Sequence, residues 1–261
     1  MTTADLEVQV TEDGPLATVR LNRPERLNAL TEPVKQRLGD VFLDLAFRDE
    51  VRAVILTGAG RGFCASGDVN NLGSFTAFST RERFRRLHRA IAAIANLDKP
   101  VVAAVRGPVA GVGFSMALAS DMIVASETAR FSMVFKNVGL APDGGAVYFL
   151  TQALGMMKAK ELVFSGCTLD AAEAKALGLV CRVVPDAELD AAAADLALTL
   201  ARGPTMAFGL AKRMFKAMTV PTLEAFLDLE ATSQGLAVLG QDHQEGVQAF
   251  LAKRPPAFSG R

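Results

Sequence analysis

The sequence predicts an α/β protein that ends in a run of helices. Three observations carry this reading. Short, almost wholly apolar runs recur at residues 16–21, 53–58, 101–105 and 122–125, the pattern of strands buried on both faces of a sheet. Amphipathic helical patterns lie between them. From about Asp143 onward the pattern is mostly helical.

Taken in order, Leu6, Val8 and Val10 alternate ahead of the first apolar run, which predicts an opening strand pair. Thr31 stands where it can cap a helix whose apolar face is Val34, Leu38, Val41 and Leu45. Leu87, Ile91 and Ile94 mark a second amphipathic helix. Asp170 and Glu173 have the spacing of a capping box, and Gly178 closes the helix they begin. Helical segments follow at 186–202, 205–217 and 222–240. Phe226, Leu227, Leu229, Leu236, Val238 and Leu239 nearly encircle the last of these. Such a helix is deep core or a subunit interface, and with little sheet left to cover, a helix that is in part an interface is favoured. The expected division is a core over 1–200 and a helical oligomerisation region over 201–261.

Composition removes several function classes. At 261 residues the chain suggests one or two domains of about 150 residues each. Lys+Arg and Asp+Glu are both 28, so there is no cationic excess for nucleic acid or a membrane surface. With 50% hydrophobic and 21% charged residues, the chain is not intrinsically disordered. Two histidines, His88 and His243, and three cysteines, Cys64, Cys167 and Cys181, disfavour a zinc site or a disulfide scaffold. The start, Met1-Thr2-Thr3-Ala4-Asp5, lacks the basic and apolar regions of a signal peptide, so a cytoplasmic protein is expected. The apolar stretch 101–125 is broken by Arg106, Pro108, three glycines and Asp121, and reads as core rather than a membrane span.

Two glycine-rich loops follow apolar strands. One is Gly107-Pro108-Val109-Ala110-Gly111-Val112-Gly113, which opens a helical pattern. It is neither a dinucleotide fingerprint, since Met116 stands where the third Gly belongs, nor a P-loop, since no Gly-Lys-Ser/Thr follows. The other runs from Gly58 through Arg61-Gly62-Phe63-Cys64-Ala65-Ser66-Gly67-Asp68-Val69. Each alone is equally a close-packed turn. Together, at the ends of two buried strands, they could converge two backbone N–H donors into an oxyanion hole.

Five ordered motifs make the chain resemble the crotonase (enoyl-CoA hydratase/isomerase) superfamily over essentially its whole length. They are Leu21-Asn22-Arg23-Pro24-Glu25-Arg26-Leu27-Asn28-Ala29-Leu30, the Gly60–Asp68 loop, the run from Lys99-Pro100 to Arg106-Gly107, the Gly111 loop, and Glu245-Gly246-Val247 through Lys253-Arg254. The resemblance implies an α/β fold, a crotonase-like spiral of ββα turns with a C-terminal helical trimerisation region. It implies a homotrimer or dimer of trimers acting on an acyl-CoA thioester, with no metal and no cofactor beyond the coenzyme A of the substrate.

Carried over by position, the oxyanion donors are Gly67 and Val112, where Val112 replaces a usual Gly and Ser66 another common Gly. The two glutamates of family hydratases fall on Ser115 and Phe135, and both are absent. Hydration needs a group to activate water, and Phe135 cannot do so. One acid remains, Asp143, ahead of Gly144-Gly145. Its residues alone favour a helix N-cap. The resemblance favours a catalytic acid, since dienoyl-CoA and 1,2-epoxyphenylacetyl-CoA isomerases carry an Asp at the matching position. A helix N-terminus would lower its pKa, while Met133, Phe135 and Leu140 around it would raise it by desolvation. Arg26, Leu27, Ala65, Ser66, Asp68, Val69, Gly111, Ser115, Phe135, Leu140 and Lys253 complete the expected CoA and substrate contacts. The plainer accounts are solvated Arg26 and Lys253, turn-bracing Asp68 and Asp121, a packed small thiol at Cys64, helix packing at Tyr148 and a solvent-facing His88.

Overall fold

The computed structural model describes residues 3–68, 77–218 and 222–261. A short helix, α1 (Thr3–Glu7), leads into a hairpin of β1 (Val8–Asp13) and β2 (Leu16–Leu21). The strand pattern therefore starts at Val8, and Leu6, expected in the strand, lies in α1 with half its surface exposed. Helix α2 (Glu32–Leu45) is capped by the Thr31 hydroxyl, which accepts the Val34 N–H, and it buries Val34, Leu38, Val41 and Leu45 as expected. Lys99 closes its other end, donating from a buried Nζ to the carbonyls of Leu45 (2.6 Å) and Arg48 (2.5 Å).

A six-stranded sheet forms next. Its order is β1-β2-β3-β4-β6-β9, with β3 (Ala53–Gly58), β4 (Val101–Val105), β6 (Met122–Ser126) and β9 (Arg182–Val184) added in parallel to β2. Every residue of β3 and β4 is buried, so side chains alternate between two apolar faces. Leu56, Ala103 and Val105 pack with α2 and α3 (Ala77–Asn96), while Ile55, Val102 and Ala104 pack against α7 (Leu189–Ala201). Burying one Leu such as Leu56 contributes about 2 kcal/mol. The hydroxyl of Thr57, the polar residue of β3, donates to the Ala104 carbonyl at 2.9 Å.

A second, three-stranded sheet, β5-β7-β8, is built from β5 (Pro108–Ala110), β7 (Arg130–Ser132) and β8 (Thr168–Asp170). Single parallel bridges, Cys64 with Val109 and Leu30 with Gly67, carry this pairing back through the first glycine loop to the Arg23–Leu30 motif. After each of β3, β4 and β6 the chain thus crosses to the second layer before returning through a helix. Sequence periodicity missed β5, so strand β4 does not feed helix α4 (Val112–Ala119) directly. It missed β8 and β9 too, each only three residues long.

Beyond β7 come α5 (Ala146–Ser165), α6 (Ala171–Ala176), with both halves of the Asp170/Glu173 capping box formed, and the C-terminal helices α8 (Thr205–Ala217), α9 (Leu223–Val238) and α10 (Gln241–Leu251). Of α9 only Ser233 is buried, so the deep-core account of its apolar residues fails for this chain. The tail returns to the core. Arg52 donates to the carbonyls of Gly203 (2.6 Å) and Phe258 (2.8 Å) and to the Thr205 hydroxyl (3.1 Å). Replacing Arg52 by Met leaves these acceptors without their charged donor. Equilibrium urea unfolding should show a loss of about 2 kcal/mol.

Candidate active site

The first loop is held from below by Asn28. This buried residue sits at φ +57°, donates from Nδ2 to the carbonyls of Ala59 (2.9 Å) and Gly62 (2.7 Å), and accepts the Arg23 N–H at Oδ1 (2.8 Å). Leu27, also left-handed at φ +49°, accepts the Ala65 N–H on its carbonyl at 2.9 Å. Arg23 clamps the far side of the loop, pairing with Glu7 at 2.9 Å and Asp68 at 3.3 Å. Asp68 is thereby a brace of the loop, whereas Arg26 is exposed in a single 3-10 turn. Val69 lies outside the described residues.

The Leu30 bridge orients Gly67. The Ser66 carbonyl accepts the Leu30 N–H (2.9 Å), and the Asp68 N–H donates to the Leu30 carbonyl (3.0 Å). In a parallel bridge the N–H of the intervening residue points the other way. Gly67 N–H finds no acceptor among the described residues, and none of their atoms lies within 4 Å of where a Cβ would stand.

The second loop meets the first at the N-terminus of α4. Gly111, at φ +52°, precedes Val112, and its N–H donates to the Ser132 carbonyl at 2.9 Å. A Cβ on Gly113 would overlap the Cys64 carbonyl oxygen, and one on Gly111 would overlap the Ser66 Oγ. The glycines therefore let α4 approach the first loop until the Val112 N–H lies 3.3 Å from the Ser66 Oγ. Two polar N–H groups from different loops, Gly67 and Val112, now stand at one junction with the positive end of α4 behind one of them.

Asp143 reaches this junction through a third segment. The Ser115 hydroxyl, on the first turn of α4, donates to the Asp143 carbonyl at 2.9 Å. A Cβ on Gly144 (φ +61°) would lie 2.9 Å from the Ser115 Cβ and 3.2 Å from a Val112 methyl. The helix-cap account of Asp143 fails: α5 begins after Gly145, a left-handed residue, and no side chain caps it. One carboxylate oxygen of Asp143, Oδ1, is buried without a hydrogen-bond partner among the described residues. Burial pushes its pKa up to about 6, against a smaller downward pull from Lys35. Met133 and Phe135 are buried, Phe135 with 5% of its surface exposed, but Leu140 is 46% exposed and is no part of an apolar enclosure.

Lys35 was missed by the sequence reading. It is 6% exposed, donates to Glu32 at 2.7 Å, and its charge reaches both Asp143 and Cys64. The signal was present, since a lysine three residues before Leu38 stands on the apolar stripe of α2. Burial raises the Cys64 thiol to about 12, so it is protonated and a poor nucleophile. Lys253 lies two residues past the end of α10, at φ +53° and with its side chain exposed, in the region after Ala201. A cavity of about 850 Å³ lies behind the Asp143 segment, lined by Gly144, Tyr148 and Phe149 together with Phe208 and Phe215. It backs the Asp143 segment without including Gly67, Val112 or Asp143 in its walls. His88, expected to face solvent, is exposed at the edge of this cavity.

Among the described residues no group of three or more His, Cys, Asp or Glu could hold a metal ion, and no helix is long and apolar enough to cross a membrane.

An α/β spiral with two glycine loops meeting over a helix N-terminus defines a class, and comparison with known proteins identifies it. The sequence profile of the family described as enoyl-CoA hydratase/isomerase matches residues 11–261. The 1,2-epoxyphenylacetyl-CoA isomerase of Escherichia coli (strain K12) is 38% identical over 248 residues, covering 94% of this chain and 95% of that protein. The trans-2-decenoyl-(acyl-carrier-protein) isomerase of Streptococcus mutans is 31% identical over 260 residues, covering 98% of each. Among solved structures, an enoyl-CoA hydratase from Bacillus anthracis superposes with a TM-score of 0.92 at 29% identity, covering 98% of this chain and 100% of that one. The chain belongs to the enoyl-CoA hydratase/isomerase family and has the crotonase fold.

Two measurements check the electrostatics. A bulky thiol reagent should label Cys167 and Cys181, which are exposed, and reach Cys64 only after denaturation. For Asp143 the folded pKa, about 6, lies above its ordinary 3.8. The native state therefore holds its proton more tightly, and stability falls as pH rises from about 4 through about 6. Asp143→Asn removes that cost. It should stabilise the protein by about 1–3 kcal/mol at pH 8 and by nothing below about pH 4, read by urea unfolding at both pH values.

Proposed function

We propose that the protein is an acyl-CoA isomerase that moves a double bond along an enoyl chain, with Asp143 as the single acid/base group. The observation that carries this reading is the Asp143 carboxyl, buried with no hydrogen bond to Oδ1 from the described residues and raised to about 6, on a segment bonded to the helix turn that carries Val112. The thioester oxygen accepts hydrogen bonds from Gly67 N–H and Val112 N–H. Asp143 as carboxylate takes a proton from the carbon between the thioester and the double bond. The C–H electron pair moves into the thioester, giving a dienolate whose negative oxygen sits between the two donors. The same proton, held by Asp143, returns to the far carbon of the conjugated system, and the electron pair returns to carbon. No redox step, metal or separate cofactor enters.

The family's hydratase glutamates support isomerisation by their replacement. At one position Ser115 spends its hydroxyl on the Asp143 carbonyl, and at the other Phe135 is packed in the core. Hydration requires a group that activates water, and neither residue does so. The isomerase activities named for the Escherichia coli and Streptococcus mutans relatives agree with this choice. The apolar residues exposed on the C-terminal helices, Phe215, Leu227 and Phe250 among them, support self-association as part of the same reading.

In an assay of 3-enoyl-CoA thioesters, Asp143→Asn should lower kcat by about 10²–10⁴-fold while acyl-CoA binding stays within a few-fold. For the wild type, kcat/KM should rise with pH through about 6 and then level, because the carboxylate form removes the proton. A fully active Asp143→Asn variant, or hydration of 2-enoyl-CoA outrunning isomerisation, would overturn the reading.

A further inference from the structure

Ser66 is an odd residue for its position. Its backbone lies at φ +94°, a region that side chains rarely adopt and that glycine takes freely. Strain of this kind persists where the surrounding structure holds it. Here the surroundings make specific room for the side chain. Gly111 carries no Cβ where one would overlap the Ser66 Oγ, and Gly111 is itself at φ +52°. The Oγ ends 3.3 Å from the Val112 nitrogen, long for an N–H···O bond and readily given up.

We propose that the Ser66 hydroxyl is a third, side-chain donor to the substrate oxygen held by Gly67 and Val112. This rests on the oxyanion role given above to those two N–H groups. A hydroxyl both donates and accepts. In the free enzyme the Ser66 Oγ accepts the Val112 N–H, so that this donor is not left unpaired at the junction. When a thioester oxygen arrives, it takes over the Val112 N–H. The Ser66 Oγ is then released from accepting, lies next to the new oxygen, and turns its O–H toward it. The bond gains strength as the oxygen becomes negative in the dienolate, so it favours the transition state over bound substrate. No atom is transferred; the hydroxyl keeps its proton throughout.

The test uses the full-length protein with Ser66→Ala, Ser66→Gly and Asp143→Asn. Ser66→Ala keeps the Cβ and the strained backbone and removes only the hydroxyl. It should lower kcat by about 10-fold to 100-fold with KM changed less than about 3-fold. Ser66→Gly should lose kcat to the same extent while its Tm rises by about 2–4 °C, because glycine accepts φ +94° without strain. A second readout needs no proton transfer. An arylacryloyl-CoA chromophore bound at the site should show a red-shifted absorption from polarisation of its thioester carbonyl. That shift should persist in Asp143→Asn and shrink in both Ser66 variants. A full shift and unaltered kcat in Ser66→Ala, with the shift present in the wild type, would overturn the role of Ser66 alone. Absence of any shift in the bound wild type would overturn the oxyanion reading and this proposal with it. If Ser66→Ala does not fold, Ser66→Gly and the chromophore decide the matter by the same criteria.

Discussion

Everything at the candidate site depends on how closely successive turns of the spiral stack. The Gly58–Asp68 loop lies between the Arg23–Leu30 motif and the Gly107–Gly113 loop, and at each boundary backbone meets backbone. A Cβ on Gly58 would overlap the Phe63 carbonyl, one on Gly107 the Arg61 carbonyl and one on Gly113 the Cys64 carbonyl. The small bridges, Leu30 with Gly67 and Cys64 with Val109, form only at that separation. A side chain on Gly107 or Gly113 would push the second loop and α4 away from the first loop, and one on Gly58 would force open the first loop itself, so that the Gly67 and Val112 N–H groups would no longer share a junction. Asn28 supplies the hydrogen bonds that such tight stacking leaves open, satisfying two loop carbonyls and one amide from a single buried amide group.

The same closeness sets the electrostatics. Backbone dipoles and one helix terminus provide a positive field at the junction. Asp143 brings a carboxyl beside it in an environment that is costly for the charge. It has a buried oxygen without a hydrogen bond among the described residues, and the opposing charge that acts on it, Lys35, is already engaged with Glu32. A carboxylate satisfied by several donors would be more stable and a weaker base. The serine at position 115 contributes by tethering the backbone of Asp143, leaving its carboxyl group free.

Parts of this were legible from residue order. The buried parallel strands, the Thr31 and Asp170 caps, the two glycine loops and the family itself all rest on local pattern, because periodicity, capping chemistry and motif spacing are properties of neighbouring residues. The three-residue strands β5, β8 and β9 were not legible, since so short a segment carries no period and is a strand only by virtue of its partner. Lys35 stands on the apolar stripe of α2, but its pairing with a Glu32 that Arg83 of α3 also engages is visible only in the fold.

The N-cap reading of Asp143 shows the boundary most clearly. By itself the sequence determined that an acid precedes two glycines ahead of a helix, and that the two hydratase glutamates are absent. Tertiary structure alone decided that Gly144 and Gly145 turn the chain left-handed before α5 begins, so that the acid cannot cap it and lies instead beside α4. Capping is a contact between residues three apart, whereas burial, the raised pKa and the closeness to Val112 are contacts across the fold. Only packing sets those, because the energy of a buried charge depends on which atoms surround it and not on which residues precede it.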